Sequence, residues 1–149
     1  MPRSLVEAAE VSFDRHRERL EELTNVRLSM ARVDNSGSGE HGRYCLRDDQ
    51  GKDVARFVIE QMPSCNGAVL LRGFEVARGH RRRGVGAALM TAWLDAARLA
   101  SRMMCLANTL ADDEGQSALM RKSGWRTAEE YVHAATGERI TLWIKNLET

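Results

Sequence analysis

Val76-Ala77-Arg78-Gly79-His80-Arg81-Arg82-Arg83-Gly84-Val85-Gly86-Ala87-Ala88-Leu89 is the stretch on which the reading of this chain turns. A strand-like run, Ala68–Ala77, passes into a short basic loop. The loop passes into a segment where Val85, Leu89, Ala92, Ala96 and Leu99 recur at helical spacing, with Gly84 and Gly86 at its start. The first amides of a helix have no intrahelical acceptor, and the helix dipole adds partial positive charge there. Glycine lets a large anion approach the backbone without meeting a Cβ. Arg81, Arg82 and Arg83 add charge-assisted hydrogen bonds. A basic run taken alone is more often a solvated loop, but a strand before it and a long helix after it make an anion trap suited to a pyrophosphate.

Working back from this stretch, Gly73 sits where the alternation of Val69, Leu71, Phe74 and Val76 changes phase, which predicts a bulge. Pro63 to Gly67 breaks the strand pattern. Arg43–Arg47 and Val54–Gln61 flank Asp48-Asp49-Gln50-Gly51, a good turn for an antiparallel hairpin. Asn35–Gly42 reads as a loop and Val26–Val33 as a strand. The first segment, Ser4 to Leu23, reads as an amphipathic helix with Leu5, Ala9, Phe13, His16, Leu20 and Leu23 on one face and a Ser4–Glu7 capping box. His16 reads as a partly buried packing residue.

Working forward, Met103–Asn108 reads as a short strand. Asp112-Asp113-Glu114 opens a second helix after the basic loop, ending near Ser123 with Gly124 as a left-handed cap. Thr127–His133 and Arg139–Lys145 read as two last strands joined by a turn at Thr136-Gly137-Glu138. The expected class is α/β (α+β) in a single domain over residues 1–149: a mixed, mostly antiparallel sheet with helices on both faces.

The 149 residues suffice for one core, and 43% hydrophobic with 29% charged residues is ordinary for a folded soluble chain. A formal net charge of +1 argues against nucleic acid as a partner, and no aromatic residues interleave the arginines. No run approaches the ~20 apolar residues that cross a bilayer. Cys45, Cys65 and Cys105 have neither zinc nor disulfide spacing, so no metal is expected and a reducing, cytoplasmic location is. The start, MPRSLVEAAEVSF, lacks an apolar signal-peptide stretch.

Arg81, Gly84 and Gly86, with Val76 five residues before the arginine, resemble the central motif of the GCN5-related N-acetyltransferase (GNAT) superfamily: Arg or Gln, two residues, Gly, one residue, Gly or Ala. Leu119, Gly124 and Trp125 resemble its second motif, a helix ending in Gly and an aromatic residue. The likeness spans about Ala68 to Trp125. It implies an N-acetyltransferase that moves an acetyl group from acetyl-CoA to a primary amine by direct attack in a ternary complex. It also implies that the strand ending near Val76 splays from its parallel neighbour to admit the pantetheine arm. Phe74 to Ala77 would line that arm, Val76 through its backbone, and the amides of Val85, Gly86 and Ala87 would hold the phosphates. The acceptor is a small molecule or a protein amino group, and the family allows a homodimer.

Acyl transfer from a thioester needs a neutral amine, an oxyanion stabiliser and a proton for the leaving sulfur. The tyrosine that often supplies that proton in the family falls at Met120, and the family's frequent asparagine becomes Asp113, a candidate cofactor contact. Tyr131 is the nearest later phenol. Glu75 is the candidate base, with an ion-pair partner as its plainer reading. Asn108 ends the neighbouring strand, where it binds substrate or water or caps the loop. The acidic run Asp112–Glu114 is most simply a helix cap, and Cys105 a small core residue. Met120 keeps a second reading alive, an acyl-CoA-binding module without catalysis.

Overall fold

The computed structural model describes residues 3–147; Met1 and Pro2 of the start, and the last two residues, lie outside that range. The element order is α1 (Leu5–Thr24), β1 (Ser29–Arg32), β2 (His41–Arg47), β3 (Asp53–Met62), β4 (Cys65–Val76), a 3-10 turn (Arg78–His80), α2 (Val85–Leu99), β5 (Met104–Leu110), α3 (Glu114–Lys122), β6 (Arg126–Val132) and β7 (Arg139–Asn146). The strands form one seven-stranded sheet in the order β1-β2-β3-β4-β5-β7-β6. All its pairings are antiparallel except β4 with β5.

Local chemistry accounts for most boundaries. Ser4 caps α1, its hydroxyl accepting from the Glu7 amide at 3.2 Å. Asn25 ends the helix with φ of 57°, and the Glu21 carboxylate takes the Leu28 amide at 2.8 Å. That bond holds the chain against the helix end, so β1 starts at Ser29 rather than Val26. His16 does more than pack: it meets Asp95 of α2 at 2.6 Å. The Asp48 side chain accepts from the Gln50 and Lys52 amides, both at 2.9 Å, and Gly51 takes φ of 77°, as the hairpin turn requires. The break expected over Pro63–Gly67 is confined to Pro63 and Ser64, because Met62 already pairs with Cys65. In the loop before β2, the Asp34 carboxylate binds Arg32 and the Ser36 and Arg43 amides. These partners, Arg32 foremost, hold its carboxyl well below the usual range.

Tyr44, Phe57, Ile59, Leu71, Ala107 and Trp143 lie on one face of the ladder and are buried beneath the helices. Phe57 lines one small gap with Phe13 of α1 and Leu89 and Trp93 of α2, while Arg121 of α3 lies 5.6 Å over the Trp143 ring. All three helices therefore occupy this face. The opposite face carries ion pairs, Arg56–Glu75 and Arg72–Glu60, and half-buried Leu70, Leu106 and Ile144. The expectation of helices on both faces is corrected on this point. Right-handed crossovers return α2 and α3 to the same side, and the one helix ahead of β1 packs along α2.

Candidate active site

Gly73 decides the shape of the site. With φ of 62° it forms the expected bulge, and the β3–β4 register shifts between Arg56–Glu75 and Val58–Arg72. Parallel pairing of β4 with β5 covers Ala68–Leu71 against Met104–Ala107 and then stops. Beyond it β4 bends away to Val76, while β5 stays with β7 as far as the Leu110–Ile140 pair. The expected splay is present. A cavity of about 440 Å³ fills it, lined from both strands and by Met120 and Gln116 of α3. A second cavity of about 410 Å³ adjoins it and reaches Gly84, Val85 and Gly86. The two share Phe74, Glu75, Arg81, Asp113, Gln116 and Leu119.

The three helix starts differ in a way that matters here. Ser4 caps α1 and Asp113 caps α3, its carboxylate accepting from the Gln116 amide at 2.9 Å. The start of α2 has Gly84 at the cap position, with φ of 82° and no side-chain bond. The first intrahelical bond runs from the Ala88 amide to the Gly84 carbonyl at 3.0 Å, so the Val85, Gly86 and Ala87 amides precede it. Arg82 is also left-handed, with φ of 63°, a conformation that costs a non-glycine residue about 1 kcal/mol or more. A side chain on Gly86 would stand 3.4 Å from Leu119 and 3.9 Å from Val76, inside the second cavity.

Of the sequence candidates, Phe74, Val76, Arg81, Arg82, Gly84, Val85, Gly86 and Asp113 line the second cavity, whereas Arg83 and Ala87 are not on its wall. Arg81 turns back along β4: its Nε donates to the Val76 carbonyl at 2.8 Å and its Nη2 stands 3.7 Å from Glu75. Glu75 also binds Arg56 at 2.7 Å. Glu75 and Asn108 line the first cavity from opposite strands. Asp113 carries the helix cap, so its carboxylate is already engaged. Met120 is 3% exposed and lines the first cavity, whereas Tyr131 is exposed on β6 and is not on that cavity's wall. Burial pushes the Cys105 thiol up to about 12, which makes it inert as a nucleophile.

Two residues of the site escape sequence reading. Gln116 donates from its side-chain amide to the Phe74 carbonyl at 3.2 Å, spanning from α3 to β4. Its position one turn before Met120 is the available signal. Thr109, buried on β5, lines the first cavity and accepts from the Trp143 indole at 2.8 Å. Alternation from Cys105 and Ala107 places it on the helix-covered face.

The comparisons with known proteins agree with this fold. Among curated proteins, none matches the sequence. Solved structures do: nourseothricin acetyltransferase superposes with a TM-score of 0.62 at 20% identity, over 72% of this chain and 65% of its own. The ribosomal-protein-S18-alanine N-acetyltransferase of Escherichia coli gives 0.64 at 13% identity, over 82% and 95%. Spermidine N-acetyltransferase of Vibrio cholerae, in complex with CoA and spermine, gives 0.63 at 9% identity, over 80% and 95%. At these identities the likeness is one of fold. In sequence, the model of the Acetyltransferase (GNAT) family matches residues 5–125, and with most of its length so matched the chain belongs to that family.

Proposed function

We propose that the protein is an N-acetyltransferase that moves an acetyl group from acetyl-CoA to a primary amine by direct attack in a ternary complex. The observation that carries this reading is the uncapped start of α2, which opens onto a cavity adjoining the β4–β5 splay. The diphosphate lies on the Val85, Gly86 and Ala87 amides, with Arg81 and Arg82 on the cavity wall, and Arg83 beside it, supplying charge. Gly84 and Gly86 keep the approach clear, and Phe74 and Val76 wall the acyl arm, with Asp113 across from them. Glu75 accepts the amine's proton directly or through water, and Asn108 binds the acceptor or that water.

Family membership and the amine acetyltransferases among the structural neighbours support an amine acceptor, either a small molecule or a protein amino group. Three free cysteines, one of them exposed, support a reducing cytoplasmic setting. Met120 favours one second reading, an acyl-CoA-binding module without turnover, because a thioether at that place donates no proton.

Incubation with acetyl-CoA and a panel of primary amines separates the two readings. Catalysis releases free thiol in an amine-dependent way. Binding alone raises thermal stability, by about 2.7 kcal/mol at 100 times the dissociation constant, with no thiol released. Neither response would overturn both.

A further inference from the structure

We propose that Thr109 donates the hydrogen bond that stabilises the departing sulfur of the acyl donor, in place of the phenol that Met120 replaces; this rests on the acyl-CoA reading above. Thr109 stands on β5 just past the last β4–β5 pair, Leu71–Ala107, so the strand that would have crowded it has turned away. It is 8% exposed and lines the splay cavity together with Met90, Gln116 and Met120. It pairs with Thr141 and follows Cys105 and Ala107 in alternation, which puts its side chain on the helix-covered face with those residues. Asn108 and Leu110 point to the other face.

The hydrogen bonding around Thr109 gives the hydroxyl its direction. An indole N–H can only donate, so the Trp143 bond at 2.8 Å uses a lone pair of Thr109 Oγ1. The hydroxyl proton is left over, and it has no protein acceptor among the described residues. A buried donor without an acceptor is unfavourable unless something else occupies that direction. The Trp143 bond also polarises the hydroxyl and makes it a better donor. Two other buried hydroxyls, Ser117 of α3 and Thr141 opposite Thr109 on β7, do not line the cavity.

In the reaction the neutral amine attacks the thioester carbonyl carbon. The carbon–nitrogen bond forms, the carbon–sulfur bond breaks, and its electron pair goes to sulfur. The proton shed by the nitrogen ends on the thiol, through Glu75 or water. Thr109 keeps its own proton throughout and lowers the energy of the thiolate by donating to it. Removing a hydrogen bond to a charged atom costs about ten- to hundredfold in rate.

The test titrates the thiol of coenzyme A bound to the protein, by thiolate absorbance, beside steady-state kinetics with acetyl-CoA. Thr109→Val raises the bound thiol's pKa by about one unit and lowers kcat about ten- to hundredfold, with KM for acetyl-CoA within about twofold. Thr109→Ser, which keeps the hydroxyl, restores most of both. If Thr109→Val does not fold, Thr109→Ala is read by the same titration against Thr109→Ser. An unmoved titration with unmoved kcat overturns this proposal alone. Failure of the unaltered protein to bind coenzyme A overturns it together with the acyl-CoA reading.

Discussion

The side-chain amide of Gln116 and the main-chain carbonyl of Phe74 are bonded at 3.2 Å across the mouth of the splay, 42 residues apart in sequence. The next carbonyl but one along β4, that of Val76, is taken by Arg81 at 2.8 Å. Where β4 parts from β5, two of its carbonyls are therefore satisfied by side chains of the same chain. Any acyl arm that uses β4 as a ladder competes with them.

That competition predicts the effect of Gln116→Ala. A neutral hydrogen bond is worth about 1 kcal/mol, so freeing the Phe74 carbonyl tightens coenzyme A binding about fivefold. The same substitution lowers Tm by about 2–4 °C. Calorimetric titration checks the first effect and thermal melting the second. An unchanged dissociation constant means that the arm does not use this carbonyl.

The glycines at the start of α2 separate binding from folding. Gly86→Val fills the space beside Leu119 and Val76 and abolishes the thermal shift produced by acetyl-CoA, with the far-ultraviolet circular dichroism of the free protein unchanged. Gly84 has φ of 82°, so Gly84→Ala lowers stability by about 1–2 kcal/mol before any ligand is added. Gly86 is the cleaner probe. A full thermal shift in Gly86→Val removes the diphosphate from this helix start.

Glu75→Gln tests the base. The Glu75–Arg56 pair is solvent-exposed, so stability changes by less than about 0.5 kcal/mol. Loss of general-base catalysis lowers kcat about a hundredfold and flattens its dependence on pH. Thiol release measured across the pH range reads both. A variant with unaltered kcat leaves Glu75 as an ion-pair partner of Arg56 and Arg81.

Alkaline pH strains the core at two groups. Burial raises the Cys105 thiol from 9.0 to about 12 and the Tyr44 phenol from 10.0 to about 12. The folded protein keeps these protons while the unfolded chain releases them, so this stability is complete below pH 9 and is lost as pH rises towards 12. The Tyr44 hydroxyl is buried with no partner among the described residues. Tyr44→Phe is therefore neutral or stabilising by about 1 kcal/mol at about pH 7, and it makes the alkaline decline shallower in denaturant unfolding. A decline as steep as that of the unaltered protein would rule out Tyr44 as a source.

Features decided by neighbours in sequence are legible before the fold. The Ser4 cap, the Asp48–Gly51 turn, the Gly73 bulge, the basic loop with its glycines and the Gly124 stop all stand where their local chemistry puts them. The Gln116–Phe74 and Trp143–Thr109 bonds join residues 42 and 34 positions apart, and no periodicity carries that information. The face on which the helices lie is hidden for a related reason, since it follows from crossover handedness and not from any one helix. Arg83 looks equivalent to its neighbours in sequence because a run of like residues conceals which of them the backbone turns inward.

The short seam between Ala68–Leu71 and Met104–Ala107 leaves the sheet as two jaws, β1–β4 on one side and β5–β7 on the other, hinged at one end. An extended guest carrying its own amides, wedged between the jaws, completes the ladder that the chain leaves unfinished. Hydrogen exchange then slows along the facing edges of β4 and β5 when the guest is bound.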